Sequence, residues 1–226
     1  MSTDDQYAQQ GIPAPQWLAP RPIVLGMTGA SGADYGLRLL QCVLAAGRPV
    51  QLLISKAAQI VIRMETDLHL PARPRDIQRV LIKHYHCDPA QLRVFGPDEW
   101  TAPPASGSAS AKAMVVCPCT TGALAAIANG NSDNLLERAA DVTLKEGRKL
   151  ILVLRETPLS TIHLENMLRL ARAGAVILPA NPGFYYRPAT VAELIDFIVA
   201  RVLDQLEIPH TLLPRWGEEA AQDEFT

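Results

Sequence analysis

Ile23-Val24-Leu25-Gly26-Met27-Thr28-Gly29-Ala30-Ser31-Gly32-Ala33 is the stretch that decides the fold. An apolar run meets a turn of Gly, Thr, Ala and Ser, after which Leu37, Leu40 and Leu44 recur at helical spacing. That order reads as strand, small-residue turn, helix start. Free backbone N–H groups at a helix N-terminus attract anions, and glycine lets a phosphate approach the chain closely. A phosphate-bearing ligand, nucleotide or flavin, is the first chemical expectation. A tight strand–helix connection that holds no ligand fits the same turn.

Working outward, apolar runs of the same kind recur at 50–54, 113–117, 150–154 and 175–178, most of them separated by helix-period segments. Short, continuously apolar strands alternating with helices predict an α/β fold, a parallel sheet with helices on both faces. The segment 132–147 reads as a helix with Leu135, Ala139 and Val142 inward, and 160–173 as another with Ile162, Leu164, Met167, Leu168 and Leu170 at helical spacing. Thr190-Val191-Ala192-Glu193 is a capping-box pattern opening a third, which carries Leu194, Ile195, Ile198, Val202 and Leu206. The stretch 71–110 is less regular, with a helix expected over 75–85 and a loop at 103–108. Neither an internal repeat nor a domain-splitting linker interrupts the chain. The expected organisation is a polar N-terminal tail over 1–20, one domain over 21–216 and an acidic tail over 217–226.

At 226 residues the chain is long enough for one large domain, and 48% hydrophobic with 19% charged residues is a globular composition. A net charge of −2 leaves no footprint for nucleic acid or an anionic membrane. The longest apolar runs fall far short of the ~20 residues of a membrane helix, and the first sixteen residues lack an apolar signal-peptide core. A cytoplasmic protein is expected, with Cys42, Cys87, Cys117 and Cys119 as thiols. Cys117-Pro118-Cys119 lacks the spacing of a redox or zinc motif. His84, His86 and Cys87 have no visible fourth ligand, so they read as a polar helix end and no metal is expected.

Ligands of an open parallel sheet sit beyond the carboxyl ends of its strands. The residues there are Gly29, Ala30 and Ser31; Ser55 and Lys56; Thr120, Thr121 and Gly122; Arg155 and Glu156; and 179–187 with Tyr185 and Tyr186. Hydroxyl-rich helix starts at Ser31 and Thr120 suit a phosphate and the polar edge of a ring system; ordinary N-capping accounts for each equally. Arg155–Glu156 reads either as a surface ion pair or as a ligand clamp with an acid or base. Arg138, Asp141 and Lys145 fall on one helical stripe, a solvated face or a second anion site reaching a neighbouring subunit. Tyr185, Arg187 and Arg201 are further candidates for a second phosphate, and Trp216 is a packing anchor or an aromatic lid. There is no Ser–His–Asp signature, no Walker-type Gly-Lys-Ser/Thr and no aspartate-rich pair for magnesium diphosphates.

Taken in order, MTGASGADYGLRLL (27–40), LISKAA (53–58), PPASGS (103–108), CPCTTG (117–122), NLLERAADVTLKE (134–146), LRETPLSTIHLENM (154–167), ILPANPGFYYRP (177–188) and LLPRWGE (212–218) resemble the UbiX-type flavin prenyltransferases. The resemblance implies a Rossmann-like (flavodoxin-like) three-layer fold and a dodecamer with sites between subunits. The implied reaction is metal-independent transfer of the dimethylallyl group of dimethylallyl monophosphate to N5 and C6 of reduced FMN. The product would serve UbiD-type decarboxylases, in ubiquinone synthesis or aromatic-acid breakdown. By resemblance, Gly29, Ala30, Ser31, Ser55, Thr120, Thr121, Gly122, Ala123 and Arg155 are FMN contacts. Arg138, Lys145, Tyr185 and Arg201 are prenyl-phosphate contacts, and Ser106 and Trp216 also fall on active-site positions. Glu156 is the implied proton carrier during phosphate departure, Ser31 a relay near flavin N5, and Glu65 a further catalytic candidate. Thr120 stands where serine is usual in the family, and Arg187 is left out of the site.

Two other readings compete. A flavin-dependent cysteine decarboxylase of the same fold needs a catalytic histidine and a Met-Asn-containing clamp, where this chain has Pro179-Ala180-Asn181-Pro182-Gly183. A non-catalytic flavin-binding subunit of a decarboxylase leaves Glu156, Arg138, Lys145, Tyr185 and Arg201 without a purpose.

Overall fold

The structure, a computed structural model, describes residues 20–108 and 111–214. The expected tails, apart from Pro20, and the candidate Trp216 lie outside these residues. Six segments become strands: β1 (Ile23–Met27), β2 (Val50–Ile54), β3 (Leu92–Phe95), β4 (Ala113–Cys119), β5 (Lys149–Leu154) and β6 (Val176–Pro179). All pair in parallel, in the order β3-β2-β1-β4-β5-β6. The expectation of a parallel α/β sheet therefore holds, with one strand added. β3 was hidden because exposed Arg93 stands between buried Leu92 and buried Val94 and Phe95, so its four residues form no continuous apolar run.

Seven α-helices of the described residues cover the sheet: α1 (Ala33–Ala45), α2 (Lys56–Glu65), α3 (Pro74–Tyr85), α4 (Thr121–Ala128), α5 (Leu135–Lys145), α6 (Thr161–Arg172) and α7 (Val191–Leu206). Strand alternation sorts the core into two layers. Ile23, Leu25 and Met27 of β1 pack with Leu40 of α1, Ile62 of α2, Leu81 of α3 and Val202 of α7. Val24 of the same strand joins Leu124 of α4, Leu135 and Ala139 of α5 and Leu170 of α6 on the opposite face. Each such fully buried Leu, Ile or Val contributes about 1.5–3 kcal/mol relative to exposure. Gly36 explains how closely α1 lies on the sheet: a Cβ there would stand 2.3 Å from the Cys117 carbonyl oxygen.

The helix expected over 160–173 forms as α6, yet most of its apolar residues do not face the core. Leu170 is buried, while Ile162, Leu164 and Leu168 are 65%, 50% and 51% exposed. Spacing alone did not reveal that this helix carries a second apolar face. Its start is a capping box, with Ser160 accepting from the His163 N–H and His163 Nδ1 accepting from the Ser160 N–H. At the predicted start of α7, Thr190 accepts from the Glu193 N–H, but Glu193 reaches back to the Ala189 N–H. No helix among the described residues is long and apolar enough to cross a membrane.

Candidate active site

The sheet reverses strand order between β1 and β4, the point where open α/β sheets open a crevice beyond their carboxyl ends. Thr28, buried just after β1, joins the two sides there. Its hydroxyl donates to the Pro118 carbonyl at 2.8 Å and accepts from the Thr120 N–H at 2.8 Å. This residue was missed in the sequence although it stands inside the deciding stretch. It reads as part of an apolar-to-small transition until the partner strand is known.

A cavity of about 500 Å³ opens beside that junction. Of the expected FMN contacts, Gly29, Ser55, Thr120 and Ala123 line it, together with Thr28, Lys56, Leu53, Phe95 and Leu136. Phe95 and the following Gly96-Pro97-Asp98 enter the lining because β3 exists, so they too escaped the sequence reading. Three helices present their N-termini to this space, α5 through Asn134 to Glu137. Ser55 caps α2 by accepting from Ala58 N at 3.0 Å, and Thr120 caps α4 by accepting from Ala123 N at 3.1 Å. Capping and ligand binding are compatible: each hydroxyl keeps its proton to donate, and first-turn amides lack intrahelical acceptors. Gly29 is demanded by packing, since a Cβ there would lie 2.5 Å from the Ala57 Cβ in the first turn of α2. Apolar walls with hydroxyls and helix N-termini at one side suit a flat aromatic ring carrying a phosphate tail, as FMN does.

The start of α1 departs from the simple picture of a phosphate cradle. Gly32, with φ +97°, is its N-cap, not Ser31. The Gly32 and Ala33 amides both donate to Glu65 Oε2 at 2.8 Å, so an internal carboxylate already occupies this helix end. Burial pushes the Glu65 carboxyl up, but the Ser31 hydroxyl, these two amides and Arg155 together hold it below its ordinary value. Arg155, just past β5, also donates to the Ser31 carbonyl at 3.2 Å. Ser31, Glu65 and Arg155 are thus one unit, adjoining the cavity edge at Gly29. Glu156, half-buried next to it, accepts from the Thr121 hydroxyl at 3.4 Å and from the Thr157 N–H at 3.1 Å.

The prenyl-phosphate candidates fall into two groups. On α5, Arg138 donates to the Ala105 carbonyl at 3.2 Å and to Asp141 at 2.8 Å, while Lys145 pairs with Glu146. Arg148 donates to the Gly107 carbonyl at 2.7 Å, so the 105–107 loop with exposed Ser106 is tied to the same helix region. Tyr185 and Arg201 line a different cavity, of about 560 Å³, against α7. As α5 and α7 pack on opposite faces of the sheet, one chain does not bring the two groups together. His86, in the left-handed region at φ 51°, ends α3, and among the described residues no His, Cys, Asp and Glu group has metal-holding geometry.

A three-layer Rossmann-like sheet with helix N-termini and hydroxyls facing a cavity at its switch point defines a flavin- or nucleotide-binding α/β protein. The family model described as Flavoprotein matches residues 13–203. Flavin prenyltransferase UbiX of Pseudomonas aeruginosa is 58% identical over 200 residues, spanning 88% of this chain and 96% of that protein. AnUbiX (PadA1), solved in complex with FMN and dimethylallyl pyrophosphate, superposes with a TM-score of 0.79 at 41% identity, over 88% of this chain and 98% of that one. A dodecameric FMN-dependent UbiX-like decarboxylase from Escherichia coli O157:H7 gives 0.76 at 42% identity, over 86% and 98%. The chain belongs to the flavoprotein family and, within it, to the UbiX flavin prenyltransferases.

Proposed function

We propose that this chain joins the dimethylallyl group of dimethylallyl monophosphate to N5 and C6 of reduced FMN, releasing phosphate. The reduced flavin supplies the nucleophilic atoms; the chain's own residues bind, orient and manage charge and protons. Gly29, Ser55, Thr120 and Ala123 bound the cavity that fits the flavin; Ala30, Thr121 and Gly122 neighbour these residues in sequence, and Arg155 holds the Ser31 carbonyl. Arg138, Lys145 and Arg201 neutralise the departing phosphate, the electrostatic term that usually dominates such steps. Tyr185 and Ser106 complete the donor's surroundings. Glu156 carries the proton to or from that phosphate, with the Thr121 hydroxyl fixing one of its oxygens. Glu65, its carboxyl held below its ordinary value by the Ser31 hydroxyl, the Gly32 and Ala33 amides and Arg155, steadies Ser31 beside the flavin. The observation that carries this reading is the switch-point cavity lined by Gly29, Ser55, Thr120 and Ala123 in a chain of this family.

Assembly is part of the same proposal. Cations on opposite faces of one sheet serve one phosphate only when a second copy supplies the missing group, and Ile162, Leu164 and Leu168 on α6, with Ile60 and Met64 on α2, offer exposed apolar surface for contact. A dodecamer, as in the Escherichia coli relative, is the assembly proposed. Transfer of the product to a UbiD-type decarboxylase and a cytoplasmic location complete the proposal; the free thiols agree with a reducing compartment. The cysteine-decarboxylase and carrier alternatives are not favoured in this family setting.

The test is anaerobic incubation of the protein with reduced FMN and dimethylallyl monophosphate, without added metal, followed by mass spectrometry of the flavin. Gain of one C5H8 unit with release of phosphate is expected. Tight FMN binding with neither product would refute catalysis and favour a carrier.

A further inference from the structure

The cavity of about 560 Å³ beside α7 is lined by Tyr185, Phe197, Arg201, Asp204, Glu207 and His210 among others. Arg201 Nη1 donates to Asp204 Oδ2 at 2.7 Å, and His210 Nε2 lies 3.1 Å from Asp204 Oδ1. On the far side of the imidazole, the Leu212 N–H donates to His210 Nδ1 at 3.4 Å. That bond requires a lone pair on Nδ1, so the neutral ring carries its proton on Nε2 and donates it to Asp204. Both oxygens of one carboxylate are therefore committed, one to a cation and one to a histidine that is itself anchored by backbone. The His210 side chain is 15% exposed, against 46% for Asp204 and 56% for Arg201, so the relay runs from a sheltered anchor to an accessible tip. Glu207, the other acid in this lining, pairs with Lys112 at 3.3 Å.

We propose that Asp204 and His210 are positioning residues for Arg201, fixing its guanidinium in the cavity wall before the donor phosphate arrives. The inference rests on the reading of Arg201 as a donor-phosphate contact. An exposed ion pair contributes little to stability, so its effect falls on geometry. An arginine already held in one rotamer loses less entropy on binding, and its planar fork still offers N–H donors to a phosphate. Arg138 and Lys145 are paired in a similar way with Asp141 and Glu146; Asp204 differs in its second bond, from a histidine next to the segment 212–218.

The test measures equilibrium binding of dimethylallyl monophosphate to the full chain carrying oxidised FMN, with no reductant present and hence no turnover. Asp204→Asn and His210→Leu are each expected to raise the donor Kd roughly three- to fivefold, the upper range for an exposed ion pair. His210→Gln keeps an N–H near the Nε2 position and is expected to stay within about twofold of the wild type. FMN affinity should be unchanged in all three, and in turnover the donor KM should rise with little change in kcat. Unchanged or tighter donor binding by Asp204→Asn would overturn the inference, the latter by showing that Asp204 competes with phosphate. Equal defects in His210→Gln and His210→Leu would overturn it as well. Arg201→Gln separates the two levels: if it leaves donor binding intact, the phosphate reading of Arg201 fails and takes the relay with it. If Arg201→Gln weakens binding and Asp204→Asn does not, only the relay fails.

Discussion

Replacing Glu65 tests whether the turn after β1 is held by an internal anion. Glu65 Oε2 accepts the Gly32 and Ala33 amides at 2.8 Å each, in the manner of an N-cap supplied from another helix. Loss of a side-chain cap costs about 0.5–2 kcal/mol, so Glu65→Ala should lose about 1–2 kcal/mol at neutral pH. Glu65→Gln keeps a carbonyl acceptor and forfeits only the charge at the helix N-terminus, about 0.3–1 kcal/mol. One term offsets part of this. Burial, and after it the Glu65 charge, raise the carboxyl of Asp34, so removing the charge relieves Asp34. The sign with pH follows from the depressed carboxyl. Stabilisation by the Glu65 anion is complete above the ordinary value of 4.5 and is lost as pH falls through the lower folded value. The gap between wild type and Glu65→Gln in urea unfolding, at one protomer concentration, should therefore be widest near neutrality and shrink below pH 4.5. A gap that is absent, or constant across that range, would show that the α1 N-terminus does not depend on this anion.

Other perturbations address the neighbouring contacts. Gly29→Ala places a Cβ 2.5 Å from the Ala57 Cβ and should cost about 1–3 kcal/mol by overpacking, with weaker FMN binding. The double variant with Ala57→Gly should recover part of that stability in thermal unfolding, and no recovery would assign the loss elsewhere. Thr28→Val strands the Thr120 amide and should cost about 1–3 kcal/mol, whereas Thr28→Ser should approach wild type in the same measurement. Glu156→Gln should bind FMN normally but release phosphate more slowly in single-turnover assays, and normal turnover would remove Glu156 from the mechanism. Lys145→Ala should weaken donor binding more than flavin binding; equal losses in titrations of both would indicate a structural role.

What could be read from the chain, and what could not, divides along a physical line. Strands buried on both faces announce themselves as continuous apolar runs, and five of the six were legible for that reason. The edge strand β3 has Arg93 over the ring of Phe95 on one side and buried residues on the other, so no run marks it. Its loss hid Phe95 to Asp98 from the predicted cavity lining. Gly29, Ser55 and Thr120 were legible because a ligand end of a parallel sheet must follow a strand and precede a helix. Thr28 and the Glu65 cap were not readable as contacts, because their partners lie 90 and 32–33 residues away and only the sheet order and the α2 direction bring them together. Glu65 entered the site by resemblance alone, and the structure supplies its physical role.

The same distinction bears on the phosphate cations. Arg138 and Lys145 lie one above the other on α5 and were read as a stripe from spacing, while Arg201 stands on α7 across the sheet. On the proposed reading such groups meet between copies, and no pattern along one chain records that. If one phosphate needs cations from both faces, donor affinity depends on assembly while much of the flavin cavity is built within a single chain. Dilution of the protein below its assembly threshold should then weaken donor binding before it weakens FMN binding. Parallel loss of both would place the flavin site itself across the interface, and preserved donor binding in dissociated chains would refute the shared site.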